Sequence, residues 1–122
     1  MAENKQYITR AQDNGSVMIS EDVIATIVAH AVSDVEGVAG IGTKPGMDLS
    51  EMISRKNAGK GLKITIAQDD VVYIDCSIQV SFGQSVVAVA KAVQESVTSA
   101  VESMTGVVVA SVNVNVIGIA RQ

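Results

Sequence analysis

Apolar and polar side chains alternate along one long stretch: Val72, Ile74, Cys76, Ile78, Val80 and Phe82 interleave with Tyr73, Asp75, Ser77, Gln79 and Ser81. Side chains at every second position of a strand share a face, so the stretch predicts a strand with one dry face and one wet face. Gly83 interrupts the alternation, and beyond it the apolar period lengthens to between three and four, which marks a strand feeding a helix. Gln84-Ser85 is placed to cap that helix, whose predicted buried face is Val86, Ala90, Val93, Val97, Val101 and Met104. Gly106 serves as its C-terminal cap. A last strand is then predicted from Val107 to Ile119, with Val108, Ala110, Val112, Val114 and Val116 on one face.

Earlier in the chain, residues 1 to 14 are polar and unpatterned apart from Tyr7 and Ile8, and are expected to be a flexible arm. Gly15 to Ile19 reads as a short strand, followed by Ser20 as an N-cap with Glu21 and Asp22 in the first turn, where carboxylates favour the positive end of the helix dipole. Val23, Ile24, Ile27, Val28, Ala31, Val32 and Val35 form one apolar stripe, which Glu36-Gly37 ends. Val38 to Gly42 is a modest, glycine-rich strand. Leu62, Ile64 and Ile66 alternate with Lys63, Thr65 and Ala67 and run into the turn Gln68-Asp69-Asp70, which predicts antiparallel pairing with the long strand. Two strand-helix-strand connections with right-handed crossovers place both helices on one face of the sheet. The expected fold is α/β (α+β), a two-layer sandwich with a mixed, mostly antiparallel sheet. It divides into the arm, a single domain over residues 15–119 and a C-terminal end at 120–122.

Composition narrows the chemistry. The core must be aliphatic, because the chain has two Tyr, one Phe and no Trp. A net charge of -4 gives no general attraction to phosphate backbones or anionic lipid. Cys76 is the single cysteine and falls on the dry face, where it reads as a small buried hydrophobe. His30 flanks the first helical stripe without a carboxylate, Cys or second His at ligand spacing. No nucleophile with its base, convergent acid pair or metal cluster is legible, so the reading is a non-enzyme with no cofactor, metal or small-molecule substrate.

Two stretches carry interaction potential instead. Thr43 to Gly61 is bounded by turn signals. Within it, Leu49, Met52 and Ile53 form a short amphipathic element ahead of Arg55, Lys56, Lys60 and Lys63, a candidate partner contact. The rival from another class is a small RNA-binding or other nucleic-acid-binding domain that uses the basic loop from Arg55 to Lys63. Against it, the Gly-Lys-Gly segment leads into a strand rather than joining two helices, and the sheet offers no aromatic pair for base stacking. On the last strand, alternation places Val107, Val109, Ile117 and Ile119 on the outer face. The polar, uncharged Ser111, Asn113 and Asn115 stand between them, so this face is expected to self-associate into a homo-oligomer.

Several segments in sequence order resemble a known family: Gly15-Ser16-Val17-Met18-Ile19-Ser20, Val35-Glu36-Gly37-Val38-Ala39-Gly40, Gly61-Leu62-Lys63-Ile64, Phe82-Gly83, Val101-Glu102-Ser103-Met104-Thr105-Gly106 and Val112-Asn113-Val114-Asn115-Val116. Together they are similar to the alkaline shock protein family, the envelope stress response proteins of Gram-positive bacteria. The resemblance implies an abundant, non-enzymatic cytoplasmic protein linked to envelope homeostasis. In some members an integral membrane anchoring protein holds it at the inner face of the membrane. It carries over no catalytic residues.

Overall fold

The computed structural model describes residues 7–42 and 61–120. Its elements are β1 (Tyr7–Gln12), β2 (Gly15–Ser20), α1 (Glu21–Ser33), β3 (Val38–Ile41), β4 (Leu62–Ile66), β5 (Val72–Ser81), α2 (Val86–Thr105) and β6 (Val109–Ala120). As the alternation predicts, β5 is the centre of the main sheet. β6 lies parallel to it along one edge, while β3 and β4 share the other edge, both antiparallel to it. β4 covers Val72 to Cys76 and β3 covers Ile78 to Val80.

Those two short strands meet at Ser77. Gly42 N donates to Ser77 O at 2.9 Å, and Ser77 N donates to Gly61 O at 2.8 Å. The two glycines are so close that a Cβ on Gly61 would stand 2.6 Å from Ile41 Cγ2 and 2.8 Å from Gly42 N. Because β3 and β4 also run in the same direction, they amount to one edge strand whose two halves meet at Gly42 and Gly61.

Both helices pack on one face of this sheet, which makes the fold a two-layer α+β sandwich. The Ser20 hydroxyl caps α1 by accepting from Val23 N at 3.4 Å, and Ile24, Ile27, Val28, Ala31 and Val32 are buried beneath the helix. Ser85 caps α2 by accepting from Ala88 N at 3.3 Å. The buried ridge of α2 is Val89, Val93, Val97 and Val101, spaced by four. Small side chains let the helices approach closely enough for Ser96 Oγ to donate to Ala31 O at 3.1 Å. Gly106 closes α2 in the left-handed conformation, φ 73°, that a C-terminal cap requires. In the β4–β5 hairpin the same conformation falls to Asp70, φ 67°, a residue type that tolerates it.

The structure departs from the sequence reading in five places, the first being Phe82, expected on the dry face of the central strand but lying beyond the end of β5 and 64% exposed. Residues 7 to 14 are not an unpatterned arm: β1 pairs antiparallel with β2, Ile8 facing Ile19, and Ile8 is fully buried. Since β2 belongs to this separate hairpin, the main sheet contains one strand-helix-strand crossover, β5–α2–β6, rather than two. On the helices, Val23 and Met104 are exposed, Met104 at 70%, and Val89 takes the place expected for Ala90. The chain reverses at Gly106 so that Val107, rather than Met104, fills that end of the core. Finally, β6 has two bulges relative to β5: Val109 faces Val72 but Ser111 faces Tyr73, and Val116 faces Ile78 but Gly118 faces Gln79. Each extra residue inverts the alternation. Val107 and Val109 therefore belong to the core side, and Val108 and Ala110 are exposed, the reverse of the expected faces.

Candidate interaction surface

The sheet face opposite the helices is built from the polar half of the β5 alternation and the residues registered beside it. Across the strands, Lys63, Asp75 and Asn113 form one row, and Thr65, Tyr73 and Ser111 a second. Ser77 and Asn115 form a third, and Gly40, Gln79 and Gly118 a fourth. The face is neutral, with one Lys and one Asp directly opposed. Gln79 is fixed within it: its Nε2 donates to Gly42 O at 3.3 Å, and its side chain lies where a Cβ on Gly118 would touch it at 3.6 Å. Asn113, Asn115 and Tyr73 stand exposed on the same face.

At its far edge β6 is met by two side chains of α2. Gln94 Nε2 donates to Val112 O at 3.0 Å, and Glu102 Oε2 accepts from Val109 N at 3.1 Å. Both backbone groups thus point away from β5. The residues expected to self-associate are divided by the bulges. Val107 is buried and Val109 packs against the core, whereas Asn113, Asn115, Ile117 and Ile119 are exposed. Tyr73, Ser77 and Gln79 were legible in the sequence only as the wet side of a strand, yet Gln79 is buried, with its amide held on Gly42 O. Their place in one neutral grid depends on the pairing register. Leu49, Met52, Ile53, Arg55, Lys56 and Lys60 lie outside the described residues, and Lys63 faces Asp75 from β4.

The groups that carry chemistry elsewhere are scattered. Cys76 is fully buried, and its burial, reinforced by the neighbouring Asp75 carboxylate, pushes the thiol up to about 11. His30 is exposed on α1. Among the described residues no three His, Cys, Asp or Glu side chains are grouped to hold a metal ion. An open cleft of about 350 Å³ between the hairpin and the sheet end is lined by residues including Arg10, Asp69, Asp70 and Val108. Arg10 Nη2 lies 3.3 Å from where a Cβ on Gly106 would be. Its guanidinium therefore sits at the C-terminus of α2, which carries no basic residue in its own last turn and whose dipole favours a cation there. The cleft is thus a seam fastening the hairpin to the body.

No helix among the described residues is long and apolar enough to cross a membrane. The chain is 35% identical over 105 residues to the uncharacterized protein YqhY of Bacillus subtilis (strain 168), covering 86% of this chain and 77% of that protein. It is 32% identical over 107 residues to the uncharacterized protein YloU of the same organism, covering 86% of this chain and 88% of that one. The uncharacterized protein Spy1535 of Streptococcus pyogenes serotype M6 is 30% identical over 108 residues, 88% of this chain and 81% of its own length. No solved structure matches significantly. A family model matches residues 9–121, beginning inside β1 and ending past β6, and the chain belongs to that family, the alkaline shock protein 23 family, which has a cell envelope-related function.

Proposed function

We propose that this domain is a non-enzymatic structural or interaction protein of the envelope stress response or of envelope homeostasis. It acts through protein-protein contacts at the cytoplasmic face of the membrane, as a homo-oligomer and with an integral membrane protein as anchor. The observation that supports the reading is the neutral grid of Tyr73, Ser77, Asn113 and Asn115 on the sheet face opposite α1 and α2. Hydroxyl and amide groups can exchange water for partner hydrogen bonds, without the desolvation cost that an array of full charges would impose.

The test is complementation. A strain lacking the gene is challenged with alkaline medium and cell-wall inhibitors, then supplied with the unmodified protein or with a Tyr73→Lys, Ser77→Arg variant. Both positions lie on the outer face of the central strand, so the variant is expected to fold and accumulate normally yet fail to restore growth. Full restoration by the variant would refute the surface, and a deletion with no envelope phenotype would refute the role.

A further inference from the structure

The edges of the main sheet are guarded unequally. The β3/β4 edge is short, broken at Ser77 and marked by Lys63. β6 is continuous over 12 residues. No Asp, Glu, Lys or Arg occurs between Glu102 and Arg121, the longest such stretch of the chain, and β6 contains no Pro. Long edge strands are ordinarily protected from pairing by charges, proline or shortness. Here the devices present are the bulges beside Val72 and Gln79 and two α2 side chains, Gln94 on Val112 O and Glu102 on Val109 N, and between the bulges Ser111 to Val116 keeps regular register with β5. Among the described residues, β6 pairs with no strand other than β5.

We infer that this edge pairs with the same edge of a second copy of the chain, antiparallel about a two-fold axis through Val114. The inference deepens the proposed action through protein contacts by naming one partner and its geometry. A two-fold axis brings a surface against itself, so any fixed charge near the axis would meet its own like, whereas an amide both donates and accepts and is complementary to itself. The capped carbonyl of Val112 points outward, and by alternation so do the backbone groups of Val114 and Val116. Centred on Val114, the outward residues pair as Val112 with Val116 and Val114 with Val114, each from opposite copies. Asn113 of each copy then faces Asn115 of the other in a non-hydrogen-bonded pair, the geometry that brings side chains closest. No other centre pairs both asparagines with each other. In the pairing, the Val112 carbonyl exchanges the Gln94 amide for the Val116 N–H of the second copy.

The asparagines also supply the test, because both are exposed and can be changed without entering the core. Light scattering and sedimentation at tens of micromolar should show a dimer for the unmodified protein. Asn113→Lys with Asn115→Lys places like charges opposite each other twice and should weaken the dimer by more than about tenfold. Asn113→Lys with Asn115→Asp places opposite charges across the axis and should restore it. A monomeric unmodified protein, an undisturbed dimer in the double-lysine variant, or absence of rescue in the lysine-aspartate variant would each overturn the edge pairing. Complementation by Tyr73→Lys, Ser77→Arg reads the face and not the edge, so failure of one proposal is distinguishable from failure of the other.

Discussion

Ile8→Ala tests the least anticipated part of the fold. Ile8 is fully buried and pairs with Ile19 in the hairpin, yet its chain neighbours Tyr7, Thr9 and Arg10 are exposed, so one side chain anchors β1 to the core. Truncating a buried isoleucine to alanine loses its transfer free energy and leaves a cavity, typically costing about 2–5 kcal/mol. A two-stranded hairpin at the periphery can settle into part of that space, which places the expected loss near the lower end, about 2–3 kcal/mol. Against a total stability of about 5–15 kcal/mol for a domain, that loss is readily measured. Urea denaturation followed by far-UV circular dichroism should show a lower midpoint at unchanged slope. Amide exchange should accelerate first in β1 and β2. Thr9→Ala and Val17→Ala alter exposed side chains of the same hairpin and should stay within about 0.5 kcal/mol of the unmodified protein. An Ile8→Ala variant as stable as those controls would refute the docking of the hairpin.

Gly61→Ala puts a methyl against the Ile41 side chain and the Gly42 backbone and should destabilise by about 1–3 kcal/mol. Gly40→Ala, with nothing within 4 Å of the added carbon, should be near neutral, and equal effects in thermal melts would contradict the meeting of β3 and β4. The Cys76 thiol is held at about 11 in the fold, against 9.0 for an ordinary thiol. Its contribution is therefore fully present below pH 9 and is lost as pH rises through 11, because in that window the unfolded chain releases the proton and the folded one retains it. Cys76→Ala should flatten this part of the stability curve between pH 9 and 11 relative to the unmodified protein, and thiol labelling of the native protein at pH 8 should be slow. Identical alkaline slopes, or rapid labelling, would show the thiol to be accessible.

Period and punctuation were enough to determine the central strand, both helices with their serine caps, the Gly106 stop and the β4–β5 turn. Each depends on neighbours within a few residues: alternation declares a two-sided strand, a hydroxyl three residues ahead of an amide declares a cap, and glycine supplies a left-handed stop. The buried position of Cys76 followed from the same local parity. Tertiary structure decided what local spacing cannot encode. Ile8 looks like an isolated apolar residue in a polar segment until pairing with β2 turns it inward, and nothing in Tyr7 to Gln12 alternates strongly enough to announce a strand. The β6 faces depended on two bulges that exist only relative to β5. One inserted residue reverses every side chain beyond it, so Val107 and Val109 went to the core while Asn113 and Asn115 kept the outer face. Likewise the glycines at 42 and 61, far apart in the chain, acquire their common purpose when Ser77 hydrogen-bonds to both and leaves no room for a side chain between them.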